Sequence, residues 1–204
     1  VLTGCDLQRL AVNQTADVLY AGAITTERES DVELARSAIP ASLKTLETFL
    51  FSASDNEKLL ELLAKGYFSY AFGFLEADLE IARAELAEEE EINELNRRCV
   101  LHYLRSRDYG FLLLNLPEVR KAALDGDLES LKSQLNNLDE DNVRGLFWVA
   151  YGWASAINLS QDNSDMVARL EVVEAIMARV QQLDESGPRK GSLHPGPEHS
   201  PGLD

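Results

Sequence analysis

The segment Gly145–Ser160 reads GLFWVAYGWASAINLS and contains no charged side chain. Written as a helix, it is apolar on nearly every side, which is typical of a helix buried in a protein core. Gly152 and Ala156 lie in this segment, and such small side chains allow the backbone of a neighbouring helix to approach closely. The segment therefore predicts the central helix of an α-helical protein.

The same segment carries three bulky side chains with a polar atom, Trp148, Tyr151 and Trp153. Two interpretations remain open for them. Either they line an apolar channel or pocket, or they pack in the core, where aromatic side chains bury large areas. For the first interpretation we select Trp148, Tyr151, Trp153 and Asn158 as candidate lining residues of a ligand site.

Helical periodicity also dominates on both sides of this segment, and the alternation of residues expected for β-strands is absent. We expect a break at Pro40, because proline disrupts a helix interior, and a helix end or bend at Gly66, because glycine often ends a helix. Short turns between the segments predict an all-α, tetratricopeptide-like solenoid of helical hairpins with about ten helices. The predicted helices cover residues 6–23, 28–37, 41–53, 56–66, 67–86, 93–114, 117–124, 127–138, 139–159 and 166–183.

The two ends of the chain differ in character from this helical domain, which we assign to residues 6–185. Residues 186–204 hold four of the six prolines and read as an extended tail. The first five residues, VLTGC, do not belong to the domain either and are discussed below.

The charge balance excludes several kinds of partner. The chain has 19 basic and 35 acidic residues and a formal net charge of −16. Nucleic-acid binding needs Lys and Arg to displace counterions from phosphates, and binding to an anionic membrane surface needs a polybasic cluster. Because no run of about 18 apolar residues occurs, we also expect no transmembrane helix.

One basic stretch, Arg97–Phe111 (RRCVLHYLRSRDYGF), stands out in this acidic chain. One interpretation is a surface that binds an anionic group or an acidic partner, since guanidinium groups pair well with carboxylates. The other is that the arginines pair with glutamates on neighbouring helices. The candidate residues of such a surface are Arg98, His102, Arg105 and Arg107.

Motifs that carry catalysis or metal binding are missing from the sequence. No P-loop, GxSxG, HExxH or GxGxxG pattern occurs. The two cysteines, Cys5 and Cys99, have no CxxC partner, so Cys99 is expected to be a small buried hydrophobic residue. We therefore predict that the protein is not an enzyme, and we expect neither a cofactor nor a metal site.

The beginning of the chain, Leu2-Thr3-Gly4-Cys5, resembles a bacterial lipobox. This resemblance implies that residues 1–5 are the end of an export signal, that Cys5 is lipidated, and that the protein is anchored to a membrane from the periplasm. Asp6 follows the cysteine, and an aspartate in this position resembles a signal for retention in the inner membrane.

The helical domain resembles the T components of TRAP-type (tripartite ATP-independent periplasmic) transporters, which are tetratricopeptide-like periplasmic lipoproteins. After His194 the chain departs from the family pattern and continues as PGPEHSPGLD. The resemblance rests on LAKGYFSYAFGFLEAD (Leu63–Asp78), LHYLRSRDYGF (Leu101–Phe111), FWVAYGWASAINLSQD (Phe147–Asp162) and GSLH (Gly191–His194).

The resemblance implies an accessory subunit that associates with the periplasmic substrate-binding P component and handles an organic, hydrophobic ligand. Self-association into a homo-oligomer stays open. An alternative function is a tetratricopeptide-like scaffold for envelope assembly that has no small ligand. The two functions differ in the interior, because a transport role predicts an apolar tunnel or pocket at the central aromatic residues.

Overall fold

A computed structural model describes residues 4–186 of the chain, with the side chains of residues 7–185. Within this range the protein consists of helices and contains no β-strand, which confirms the predicted all-α class. The predicted tail from residue 187 onward, including Gly191–His194, lies outside the described residues. The same holds for residues 1–3 of the lipobox and for the side chain of Cys5.

Polar side chains cap the beginnings of several helices. Asp31, Asn56, Asp127 and Asn163 each accept hydrogen bonds from backbone N–H groups of the first turn, which satisfies donors that have no partner within the helix. The elements are α1 (Gly4–Glu27), α2 (Val32–Ser52), α3 (Glu57–Tyr70), a π turn (Ala71–Leu75), α4 (Glu76–Ala84), α5 (Glu89–Leu114), α6 (Pro117–Asp125), α7 (Leu128–Leu135), a 3₁₀ turn (Glu140–Asn142), α8 (Val143–Asn158), α9 (Ser164–Val167) and α10 (Leu170–Ser186).

The break expected at Pro40 is wrong, because α2 runs through this proline. A proline in a helix interior removes a backbone donor and costs about 3 kcal/mol. Tertiary contacts on both sides offset that cost. Arg36 donates two hydrogen bonds of 2.7 and 3.1 Å to Asp78 of α4, and Leu43 is buried against α3. One helix therefore forms where the sequence predicted two.

No helix end lies at Gly66, the stronger of the two expectations there, since helical structure continues from residue 57 to residue 84 through the π turn. A Cβ atom on Gly66 would lie 2.6 Å from Cδ2 of Leu43, so this glycine serves the packing of α2 on α3. Counting 57–84 as one helix and leaving out the single turn of α9, the described part of the chain has eight helices rather than about ten.

The central pair of the fold is formed by α5 and α8, which run antiparallel in close contact. A Cβ atom on Gly145 would lie 2.9 Å from the Cα of Leu114, and one on Gly152 would lie 2.7 Å from the carbonyl oxygen of Tyr103. Glycine at these positions lets the two backbones approach, as small residues do at helix crossings. The predicted central helix is confirmed, with α8 against α5 on one side and α10 on the other.

Buried side chains form a main core between α8 and the helices α5, α6, α7 and α10, with Leu146, Val149 and Ile176 fully buried. A second core lies between α3, α4 and α5. Cys99 is fully buried in this second core, which confirms its expected role as a small hydrophobic residue. On the other side of α3, α1 packs through smaller contacts around Val12.

Candidate functional site

Aromatic side chains from α3, the π turn and α8 meet near the surface of the protein. Phe68 of α3 stacks on Tyr151 of α8 with ring centroids 4.5 Å apart, and Phe72 of the π turn stacks on Phe68 at 6.1 Å. Phe147 stacks on Tyr151 at 5.1 Å and meets Trp148 edge-on at 5.0 Å. We call these five residues the aromatic cluster.

Part of the aromatic cluster faces solvent. The side chain of Phe72 is 64% exposed and that of Tyr151 is 42% exposed, whereas Phe68 between them is buried. Phe72 is presented by the π turn, a type of helix irregularity that is frequent at functional sites. A contiguous exposed apolar patch is a common mark of a binding surface, so the cluster is the first candidate site.

A buried tyrosine packs against the aromatic cluster on the side that faces the protein interior. Tyr103 of α5 is fully buried and lies 5.2 Å from Phe68, ring centroid to ring centroid. Its hydroxyl donates a hydrogen bond to Glu76. Burial and the nearby negative charge of Glu76 raise the pKa of Tyr103 far above its ordinary value. The hydroxyl therefore stays protonated and holds the ring in place.

The four candidate lining residues do not lie together. Trp148 and Tyr151 belong to the aromatic cluster, whereas Trp153 is buried in the main core and contacts Phe111 edge-on at 6.2 Å. The indole nitrogen of Trp153 has no hydrogen-bond partner among the described residues. Asn158 is exposed at the end of α8, so it is separate from both.

A second candidate site lies on α5, where Arg98, His102, Arg105 and Tyr109 follow one another at spacings of four, three and four residues. This spacing places them on one face of the helix. We call Arg98, His102 and Arg105 the cationic stripe. The guanidinium of Arg105 donates a 3.0 Å hydrogen bond to the hydroxyl of Tyr67 and lies 5.2 Å above the centroid of its ring.

His102 sits in the middle of the cationic stripe. Its Nδ1 is 2.8 Å from the carbonyl oxygen of Arg98; because a carbonyl oxygen only accepts, this nitrogen is the donor. The ring lies near Tyr67 and Tyr70, with centroids 5.5 and 5.7 Å away. Burial, together with the charges of Arg105 and Arg98, lowers the pKa of His102 below its ordinary value.

Glu47 of α2 connects side chains of α3 and α5 through hydrogen bonds. Its Oε1 accepts hydrogen bonds from the hydroxyls of Tyr67 at 2.5 Å and Tyr109 at 2.9 Å, and its other oxygen accepts one from Lys44. Desolvation alone would raise the pKa of Glu47, but these three hydrogen bonds together lower it. Burial and the hydrogen bond to Glu47 raise the pKa of Tyr67 to about 12.

Arg107, which the sequence grouped with the stripe, lies on a different face of α5. Its guanidinium stacks over the ring of Trp153, 4.8 Å from the centroid, and donates hydrogen bonds of 3.0 and 2.8 Å to Asp108. The guanidinium of Arg107 is therefore bound to side chains of the protein itself, away from the face of α5 that carries the stripe.

A groove of 860 Å³ opens between α1, α2 and α3. None of the candidate residues selected from the sequence lines it. Its walls are mainly apolar, with the ion pair of Lys65 and Glu27 at one end. The lining residues include Leu19, Gly22, Ala23, Ile39, Leu43, Leu46 and Leu62.

A family model described as TRAP transporter T-component (TAtT) matches residues 28–193 of the chain. The chain belongs to this family. The resemblance drawn from the sequence is thereby confirmed. No match is found among curated proteins. All of α1 precedes the matched residues, and so does the wall of the groove that α1 forms.

Membership of the TRAP transporter T-component family settles the class of function. The protein is an accessory protein of a transporter, associated with the components of a TRAP system, and not an enzyme. Among residues 4–186, no helix has the length and hydrophobicity needed to cross a membrane.

The aromatic cluster was only partly predictable from the sequence. Phe68 and Phe72 lie in the stretch Leu63–Asp78 that carried the family resemblance, but the contacts of Phe68 with α8 join residues about 80 positions apart. Glu47 gave no signal in the sequence, because it stands among other polar residues of an amphipathic helix. Its role depends on tyrosines that come from α3 and α5.

Proposed function

We propose that this T-component is a periplasmic accessory subunit, anchored through lipidated Cys5, that associates with the P component of its TRAP system. The helices would stack as a tetratricopeptide-like solenoid, an architecture that binds partners through extended surfaces. The family match over residues 28–193 is the single observation that carries this proposal. Asp6 supports the inner membrane as the site of the anchor.

The aromatic cluster is the proposed binding site for an apolar organic ligand. Small-molecule sites are lined mainly by hydrophobic and aromatic side chains with a few polar groups. Trp148 and Tyr151 supply both kinds of surface, and Phe72 extends it into solvent at 64% exposure. Trp153, packed in the core, would act here only as support for α8.

Packing of Trp153 in the core is also what the scaffold function predicts. Binding of a small apolar molecule at the aromatic cluster separates the two functions, since an exposed apolar patch by itself is also typical of a surface that binds proteins. A scaffold would bind envelope proteins and leave the aromatic cluster free of small apolar molecules.

The first experiment measures association of the full-length protein with the purified P component of the same organism by isothermal titration calorimetry. The proposal predicts a saturable complex with a fixed stoichiometry. Absence of heat and of any complex in size-exclusion chromatography, at concentrations up to about 100 μM, would exclude the transport partner. That concentration covers weak, transient interactions.

A second experiment tests the aromatic cluster with the apolar fluorophore N-phenylnaphthylamine. The variants Phe72→Ser and Tyr151→Ser should weaken its binding by about tenfold each, since each removes a large apolar contact. Phe51→Ser is the matched control, because Phe51 is 92% exposed and lies outside the cluster. Equal binding by all three variants would remove the cluster as the ligand site.

The proposed anchor has its own test. Intact-mass spectrometry of the precursor expressed in a bacterial host should show an acylated protein, and Cys5→Ala should lose the added mass. An unmodified mass in both samples would contradict the lipid anchor without bearing on the P component.

A further inference from the structure

The two arginines of the cationic stripe form no direct ion pair with a described residue, because neighbouring arginines bind the nearest carboxylates. Glu94 lies four residues before Arg98, but both of its oxygens accept hydrogen bonds from Arg97, at 2.7 and 2.8 Å. Asp108 lies three residues after Arg105, but its Oδ1 accepts two hydrogen bonds from Arg107.

Carboxylates on the neighbouring helices are engaged as well. Glu47 accepts hydrogen bonds from Tyr67, Tyr109 and Lys44. Among the described residues, neither Arg98 nor Arg105 has a carboxylate oxygen within 4 Å, and the only carboxylate whose charge reaches Arg98 is Glu94, which Arg97 already binds. Two partly buried guanidinium groups are thus free to bind an external anion in a protein with a net charge of −16.

The guanidinium of Arg105 is also held in a fixed orientation. The hydroxyl of Tyr67 accepts from Arg105 and at the same time donates to Glu47, so the guanidinium is fixed by one hydrogen bond and by the ring beneath it. A fixed guanidinium loses less conformational entropy when it pairs with a carboxylate. Its remaining N–H groups have no partner among the described residues.

We propose that the cationic stripe, Arg98, His102 and Arg105, is the docking site for an acidic segment of the P component. The proposal rests on the proposed function for the identity of the partner. Arg98 and Arg105 are seven residues apart, which is about 10 Å along a helix. Two carboxylates at a similar separation on the partner, such as glutamates two helical turns apart, match this spacing.

Charge complementarity favours a protein segment over other anions. Long-range repulsion from the acidic chain acts on every anion, and it is strongest for the densely charged ones, nucleic acid and anionic lipid surfaces. Recognition of a membrane surface takes a cluster of four to eight basic residues, about twice what the stripe offers. A short acidic segment of a protein needs only two guanidinium groups in register.

The test measures binding of the full-length protein to the immobilised P component by surface plasmon resonance, at several salt concentrations. The double variant Arg98→Gln/Arg105→Gln should lower the association rate constant by about tenfold at low salt and flatten its salt dependence. Lys58→Gln/Lys121→Gln is the matched control. It also removes two positive charges, from exposed side chains on other helices that are already paired with carboxylates, and it leaves Glu94 bound to Arg97.

A second arm uses a synthetic helical peptide with two glutamates seven positions apart, titrated into the full-length protein and followed by NMR of the Arg and His side chains. The proposal predicts shifts at Arg98, His102 and Arg105 that the double variant abolishes. Vesicles containing anionic lipid serve as a further probe and should produce no such shifts.

The outcomes distinguish a failure of the docking site from a failure of the proposed function. If the wild-type protein binds the P component and the double variant binds equally well at every salt concentration, the stripe is not the docking site and the proposed function stands. If the wild-type protein does not bind the P component, the proposed function fails. In that case, peptide shifts at the stripe would still support an acidic protein partner, and their absence would overturn it.

Discussion

Gly110 of α5 and Val149 of α8 are in backbone contact: a Cβ atom on Gly110 would lie 2.7 Å from the backbone nitrogen of Val149. A main-chain atom cannot move aside as a flexible side chain can. The central helix pair, which positions both the aromatic cluster and the cationic stripe, therefore depends on this glycine.

Gly110→Ala should lower the free energy of unfolding by about 1–3 kcal/mol, because the added methyl group overpacks the contact between α5 and α8. Urea denaturation followed by circular dichroism measures it. Gly22→Ala in α1 is the control, since no atom lies within 4 Å of its added Cβ. The control should raise stability by up to about 1 kcal/mol. Equal stability of Gly110→Ala and wild type would contradict the close approach.

Pro40→Ala should stabilise the protein, by up to about 3 kcal/mol, because it returns a hydrogen-bond donor to the interior of α2. Pro117→Ala is the matched control: Pro117 is at the start of α6, where a missing N–H costs nothing. Thermal unfolding of both variants decides between one continuous α2 and two helices. Two helices that meet at residue 40 would give no gain in stability from Pro40→Ala.

Glu47→Gln should destabilise the protein at pH 7 and much less at acidic pH. The pKa of Glu47 is lower in the folded protein than its ordinary value of 4.5. Its carboxylate therefore contributes stability above the unfolded pKa, and this contribution is lost as the pH falls through the folded pKa.

Urea denaturation at pH 7 and at about pH 3 measures this difference, with an expected loss of about 1 kcal/mol at pH 7 after allowance for solvent screening. Glu33→Gln, on the same helix, is the control, because its side chain is 82% exposed. A gap between wild type and Glu47→Gln that stays constant over this pH range would show that the charge of Glu47 is not involved.

Cys99 should react with thiol reagents only when the protein opens. It is fully buried, and burial together with the negative charge of Glu76 raises the pKa of its thiol to about 11. In a Cys5→Ser background, labelling at pH 8 should be slow and should speed up with urea. Adding Ser54→Cys, on an exposed turn, supplies a thiol that should react quickly. Fast labelling of Cys99 in native buffer would contradict the second core.

The sequence predicted the all-α class and the central helix because the apolar character of Gly145–Ser160 is a local property. The prediction of helix ends was wrong at Pro40 and Gly66, where the local preference for ending a helix is weaker than tertiary packing. Leu43 is central to both cases: it is buried against α3 and fills the space that a side chain at Gly66 would take.

The candidate sites were predictable only in part, for the same physical reason. Trp148 and Trp153 have the same type of side chain on the same helix, yet the first lies in the aromatic cluster and the second in the core. Likewise Arg105 and Arg107 are two residues apart and differ because one faces Tyr67 and the other Trp153. Such differences depend on which helices lie on either side, and this is a property of the fold.

The association with the P component tests the central claim most directly. We would isolate the full-length precursor, tagged at its C-terminus, from the envelope of its own host and quantify the co-purifying proteins by mass spectrometry. The account predicts that the P component is enriched with the wild-type protein, and that enrichment falls in Arg98→Gln/Arg105→Gln but not in the control Lys58→Gln/Lys121→Gln. Envelope-assembly proteins in place of the P component would contradict the transport function and favour the scaffold.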